Sequence, residues 1–286
     1  MPTSPTVANW ELGLRLREHR ELTGLTAVAA AKAAKLTQPY VSGVEGGKLK
    51  ITDVRLKALA KAYRLTEEHF AQLTELRAAA EARSWWQGYA GLFNDDTLRF
   101  FGYEHGAAAV RSYDGGLVPA LLQTEDYARA VIRGAGPNIR MADVERVLEA
   151  RLIRQQRLTG PDPLRLTAVI TEGVLYQQVG GHEVLAAQLR HLAAVAEANP
   201  ATVDVRLIPF TAGAFHALGG GTFQLLDFPS PQLPTLLWQE TVTSTSLVDH
   251  PVRLREFDSA WGQALERALS ASDSLRLIRQ FAKELA

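Results

Sequence analysis

Apolar residues recur at helical spacing through the first eighty positions, and at mixed spacing after them. Leu12, Leu16 and Leu22 mark the inner side of a helix predicted over residues 11–23. Thr26 is an N-cap for a short alanine-rich helix over residues 27–34, and after three residues of turn Thr37 caps another. Gln38 and Pro39 fill its first turn, where a missing N–H costs nothing. Val41 and Val44 share one side of it as i and i+3, while Gln38, Ser42 and Gly43 make the other side polar or bare. Gly46 and Gly47 end it. Thr52 caps a helix over 53–63 whose Leu56, Leu59, Ala60 and Tyr63 repeat at helical spacing, and Thr66-Glu67-Glu68 starts a connector running toward Arg83.

Beyond Ser84 the period changes. An extended segment near Val110–Tyr113 precedes a helix capped by Thr124, with Glu125 and Asp126 in its first turn where the dipole favours them. A helix over 144–158 is rich in arginine: Arg146, Arg151, Arg154 and Arg157. Such a row suits nucleic acid or an acidic partner, and more ordinarily a solvated face paired with Glu145 and Glu149. Strands over 166–171, 203–208, 222–227 and 236–240 and helices over 182–198, 256–270 and 273–285 predict an α/β or α+β domain. Residues 1–8 read as a disordered tail, 9–82 as one domain with its connector helix, and 83–286 as a second.

Composition sharpens the division. The 286 residues carry no net formal charge, but residues 9–64 hold 11 Lys and Arg against 5 Asp and Glu, leaving 20 against 26 elsewhere. A basic head on an acidic remainder is the asymmetry expected when only the head meets phosphates. Cysteine is absent, so disulfides and thiolate zinc sites are excluded, and a reducing cytoplasm is the expected location. The start, MPTSPTVANW, lacks the basic and apolar regions of a signal peptide.

Two short helices on a tight turn, the second with a small polar outer face, form a helix-turn-helix with its reading helix exposed. Over residues 14–65 the chain resembles the XRE (xenobiotic response element) type of all-α, repressor-like DNA-binding fold. The match rests on Leu16-Arg17, Arg20, Gly24-Leu25-Thr26 and the run Thr37-Gln38-Pro39-Tyr40-Val41-Ser42-Gly43-Val44-Glu45-Gly46-Gly47. The resemblance implies a structural pair between Arg20 and Glu45. Two positions depart from the pattern: Lys35 stands where the turn often has glycine, and Ala27 where the family often has glutamine.

The remainder resembles the C-terminal domain of unknown function found in WhiJ-like, antitoxin-like actinomycete regulators. The matching pieces include Val118-Pro119-Ala120-Leu121-Leu122-Gln123-Thr124, Tyr127-Ala128-Arg129, Thr171-Glu172, Gln188-Leu189 and Gly221-Thr222-Phe223. That likeness implies a regulator often encoded beside a small acidic protein partner. Residues 188–226 are also similar in order to half of a phospholipase D-like domain, but His216 is followed by Ala217 and Leu218, without the lysine that catalytic motif requires.

These readings predict a sequence-specific DNA-binding transcriptional regulator acting as a homodimer on double-stranded DNA, its body sensing a ligand or a small protein partner. The alternative is an antitoxin-like protein that neutralises a small partner and autoregulates through DNA. Thr26, Thr37 and Lys48 are expected on phosphates, and Gln38, Ser42, Pro39 and Tyr40 on base edges. The adjacent Trp85 and Trp86 suit an anchor or a ligand surface, and His216, Glu240 and His250 a polar pocket. Phe93, Phe100, Phe101 and Trp261 add to an aromatic surplus assigned to the dimer interface. None of the seven histidines has metalloprotease spacing, and neither a Walker loop nor a dinucleotide fingerprint occurs. No enzyme activity, cofactor, metal site or membrane association is predicted.

Overall fold

The computed structural model describes residues 4–135 and 139–285, and the chain divides into two units, residues 1–88 and 89–286. The head is five helices: α1 (Pro5–Leu22), α2 (Ala27–Ala34), α3 (Gln38–Glu45), α4 (Asp53–Ala62) and α5 (Glu67–Ala80). Their inward stripes meet in one core of Leu12, Leu16, Ala30, Val41, Val44 and Leu56 with their neighbours. α2 and α3 have the predicted bounds, because each is set by a local cap: Thr26 accepts from Ala29 N–H at 3.1 Å and Thr37 from Tyr40 N–H at 3.4 Å. Lys35 takes the left-handed turn position at φ 57° and ψ 40°, at a cost of about 1 kcal/mol relative to glycine.

The disordered tail expected over residues 1–8 is corrected from Ser4 onward; residues 1–3 lie outside the described residues. α1 begins at Pro5, with Ser4 as its cap and the proline in the first turn, where it is tolerated. The added turns bury Trp10 and Asn9, and Asn9 Nδ2 donates to Gly47 O at 2.9 Å. Two glycines make this approach feasible. A Cβ on Gly13 would lie 2.4 Å from the Val44 carbonyl oxygen, and one on Gly47 (φ +63°) 2.8 Å from Trp10 Cα. The segment that reads as a tail thus holds down the end of α3.

In the body, α6 (Asp95–Gly106) leads to β1 (Ala109–Asp114), α7 (Glu125–Gly134), α8 (Val144–Gln155), β2 (Arg165–Thr171), α9 (His182–Ala198) and β3 (Val203–Ile208). Then follow β4 (Phe223–Asp227), β5 (Leu236–Glu240), β6 (Thr245–Val248), α10 (Pro251–Arg267) and α11 (Ala271–Glu284). The six strands form one sheet in the order β3-β2-β1-β4-β5-β6. β1, β2 and β3 run parallel, and β4, β5 and β6 pair antiparallel. One face, with Tyr113, Val169, Leu225 and Leu237, packs on Ala260 and Ala264 of α10. On the other face Trp238 stacks on Phe100 of α6, centroids 4.4 Å apart. Arg111 ties α10 to the sheet by pairing with Asp227 at 3.0 Å and with Asp258. The edge of β3 is covered, since Leu207 N–H donates to Ser274 Oγ of α11 at 3.0 Å.

The arginine row over residues 144–158 is a solvated face only at the exposed Arg146. Arg154 and Arg157 are buried. Arg154 grips Glu104, while Arg157 donates to three carbonyls, those of His105, Asp162 and Ala107. The aromatic surplus is likewise corrected: Phe100 and Phe101 are buried, and the half-buried Trp261 donates its indole N–H to Ser112 O at 3.3 Å.

Candidate nucleic-acid interface

α3 presents one buried and one open side, as its pattern demands. Val41, Val44 and Glu45 are buried; Gln38, Pro39 and Ser42 are exposed, together with Thr37 before the helix and Lys48 after it. Gln38 Nε2 donates to Ser42 Oγ at 2.8 Å, so the amide that would meet a base edge is already oriented. Tyr40 differs from its neighbours. It is half-buried, its hydroxyl donates to Lys50 O at 3.2 Å, and the Arg55 guanidinium lies 4.5 Å from its ring centroid. That anchorage places Arg55 and Lys50 beside the reading helix, two cations the sequence reading did not single out. Thr26 is exposed at the start of α2, its hydroxyl oxygen occupied by the cap and its proton still available.

Behind this surface Glu45 is held by three bonds. Arg20 Nε lies 2.9 and 3.0 Å from its two carboxylate oxygens, and Tyr63 donates its hydroxyl to Oε1 at 2.8 Å. Arg20 Nη1 also donates to Leu25 O at 2.9 Å, tying in the turn before α2. The hydrogen bond to Glu45 holds the Arg20 guanidinium above its ordinary pKa. Burial, then the bond to Glu45, raises the Tyr63 hydroxyl well above the phenol range.

The remaining candidates lie elsewhere. Trp85 and Trp86 meet edge to face at 5.6 Å, Trp86 buried and Trp85 half-buried. His216 stands on a short helical turn after β3, Glu240 at the end of β5 and His250 at the start of α10; all three are exposed, and no hydrogen bond joins them among the described residues. Among the described residues no group of three or more metal-ligating side chains is assembled, and no helix is long and apolar enough to cross a membrane.

Asp114, which sequence reasoning missed, ends β1 inside the body. Burial pushes its carboxyl up to about 7, the nearby Ser112 hydroxyl offsetting this in part although the two make no hydrogen bond of good geometry. The tyrosines that feel its charge, Tyr113 and Tyr127, are both raised, chiefly by burial, and stay neutral throughout this range. With its folded pKa raised, Asp114 contributes stability that is full below the ordinary carboxylate value and lost as pH rises through about 7. The slope from this group reaches about 1.4 kcal/mol per pH unit. Asp114→Asn is expected to flatten that part of the profile in urea unfolding between pH 4.5 and 7.5; an unchanged slope would assign it to other groups.

Comparison with known families follows this division. A model described as a helix-turn-helix domain matches residues 11–73, and one described as a domain of unknown function (DUF5753) matches residues 97–280. No curated protein and no solved structure matches the chain.

Proposed function

The chain belongs to the family of the domain of unknown function DUF5753 and bears an XRE-like helix-turn-helix at its head, and from that premise we propose a sequence-specific transcriptional regulator whose body receives a signal. The observation that carries this reading is the open face of α3. Gln38 and Ser42 stand exposed and mutually oriented, between the threonine-capped starts of α2 and α3 and the cations Lys48, Lys50 and Arg55. Helix starts and lysines hold phosphates, and an oriented glutamine amide reads adenine in the major groove.

Selection from a random duplex pool with the full chain tests this directly: a recurring motif is expected, and no enrichment would overturn the reading. On that motif Gln38→Ala is expected to cost about 1–3 kcal/mol at one base step and to relax specificity there. Lys48→Ala should weaken all sequences alike and lower the salt slope by about 0.9.

Two-fold pairing of heads also belongs to the proposal. One reading helix covers a single half-site, and two linked heads gain by effective concentration. Since Phe100 and Phe101 are buried and Trp261 is half-buried, operator geometry supports the dimer better than an aromatic surplus does. A palindromic selected motif and a dimer in sedimentation are expected; a monomer bound to a single half-site would refute it.

A further inference from the structure

The two edges of the body's sheet differ. At β3 the backbone groups of Leu207 are met: its N–H donates to Ser274 Oγ at 3.0 Å and its C=O accepts from Leu269 N–H at 2.9 Å. At the other edge lies β6. Thr241 N–H donates to Ser244 O at 2.8 Å, which makes these two a hydrogen-bonded pair of the β5–β6 hairpin. The pairs of an antiparallel ladder alternate. Gln239 with Ser246 and Leu237 with Val248 therefore exchange bonds, while Glu240 with Thr245 and Trp238 with Leu247 do not. Thr245 and Leu247 thus turn their N–H and C=O groups away from β5, and no hydrogen bond meets them among the described residues.

An open edge is a template for another strand, and proteins ordinarily blunt one with lysine, proline or a bulge. None of these devices is present at β6. Residues 241–248, TVTSTSLV, carry neither a charge nor a proline, and the β5–β6 register runs without a bulge. All residues of β6 are half-buried rather than buried. Exposed aliphatic side chains stand at both ends of it, Val242 in the turn before the strand and Val252 in the first turn of α10.

We infer that β6 pairs antiparallel with β6 of a second copy of this chain, joining the two sheets edge to edge about a two-fold axis at Ser246. The strand's own pattern selects this occupant. Two identical antiparallel strands are related by a two-fold axis, the symmetry of a closed dimer. With the axis at Ser246, Thr245 faces the partner's Leu247 and Leu247 the partner's Thr245, and each such pair exchanges both its bonds. An axis at Thr245 or at Leu247 leaves one of these residues facing outside the strand. Self-pairing opposes like side chains, and like charges there are destabilising. An uncharged strand escapes that penalty, and Asp249 falls opposite the partner's Thr243. Val242 and Val252 widen the contact beyond the strand, as a specific interface of about 1,200 Å² or more requires. This gives the proposed pairing of heads its interface, and rests on that reading for its effect on DNA but not for the strand contact itself.

The chain has no cysteine, so a single introduced one reports its own neighbour. Opposed residues of a non-bonded antiparallel pair have Cα atoms about 4.5 Å apart, within the disulfide range of about 4.4–6.8 Å. Under mild oxidation the full chain with Ser246→Cys is expected to form a covalent dimer. Thr243→Cys, more exposed but about 20 Å from its copy along the seam, is expected to remain a single chain. Thr245→Pro removes an outward N–H without touching the bonds to β5, and should weaken dimerisation in sedimentation by about 10-fold or more. If it does not fold, Ser246→Lys and Ser246→Glu take its place: each alone should be monomeric, and their equal mixture dimeric. Equal cross-linking of both cysteine variants, or none with Ser246→Cys, overturns the edge. A wild-type dimer beside a Ser246→Cys chain that does not cross-link overturns it too, and leaves the two-fold reading standing. A specific Ser246→Cys cross-link beside binding to single DNA half-sites keeps the edge and removes the pairing of heads.

Discussion

Glu45→Ala is expected to destabilise the head by up to about 3–5 kcal/mol, because it removes the principal partner of the half-buried Arg20 guanidinium. Arg20 is only 11% exposed at its side chain and Glu45 5%, and without Glu45 the guanidinium keeps only the exposed Glu21 at 3.3 Å and the Leu25 carbonyl. The same substitution removes the acceptor of the buried Tyr63 hydroxyl, which is left unsatisfied at a further cost of about 1–3 kcal/mol. Losses that share one acceptor do not add. Glu45→Ala should therefore exceed Tyr63→Phe, expected near 1 kcal/mol, without reaching the sum of the parts. Because Glu45 ends α3 while Arg20 also holds Leu25 O before α2, the loss falls on the whole helix-turn-helix. Hydrogen exchange by mass spectrometry on the full chain reads this locally: amides of residues 4–88 should lose protection and those of 89–285 keep theirs. Unchanged protection in the head would show that the carboxylate is dispensable there.

What could be read beforehand follows from the range of the forces involved. Thr26, Thr37 and Thr124 announce helix starts because the bond each makes lies within three residues of it. The bounds of α2 and α3 were legible for that reason, and the exposed face of α3 followed from the placing of Val41 and Val44. The pairing of Arg20 with Glu45, twenty-five residues apart, came from family resemblance and not from any local signal. Tyr63 reads as one more apolar core position, and nothing near it reveals that its hydroxyl meets Glu45. Pro5 signals a break by composition, while its place in the first turn of α1 depends on Trp10 and Asn9 reaching Gly47. Arg146, Arg151 and Arg154 of α8 and Arg157 just after it have different fates, decided by partners such as Glu104, fifty residues before Arg154. Asp114 has no spacing or neighbour that marks it, and only the assembled sheet sets it beside Ser112 and Gln224. Of the polar residues suggested for the body, Glu240 lies on the same sheet face as Asp114, while His216 and His250 stand outside the strands.

Glu104→Ala is expected to be the most damaging single change in the body, at about 3–5 kcal/mol. Arg154 Nε and Nη2 reach the two oxygens of Glu104 at 2.7 and 2.8 Å, a bidentate pair with both partners buried. The guanidinium also lies 5.2 and 5.0 Å from the ring centroids of Phe100 and Phe101. Burial alone would lower Arg154, and Glu104 more than offsets it, leaving the group raised. Without Glu104 the cation keeps its proton, since arginine does not deprotonate in proteins, and it faces the charge of Arg151 on the same helix. The aromatic faces recover only part of the loss, at about 2 kcal/mol when desolvated. Removing both charges behaves differently: Glu104→Leu with Arg154→Met fills similar volume without a stranded ion, and such replacements are often neutral or stabilising by about 1–4 kcal/mol. Urea unfolding followed by tryptophan fluorescence can rank the variants, because Trp238 stacks on Phe100 beside the pair. The double variant should unfold near the wild-type midpoint and Glu104→Ala well below it. A double variant as unstable as the single one would mean that the pair supplies net attraction beyond its own desolvation, and a Glu104→Ala loss under about 1 kcal/mol would mean that solvent reaches Arg154.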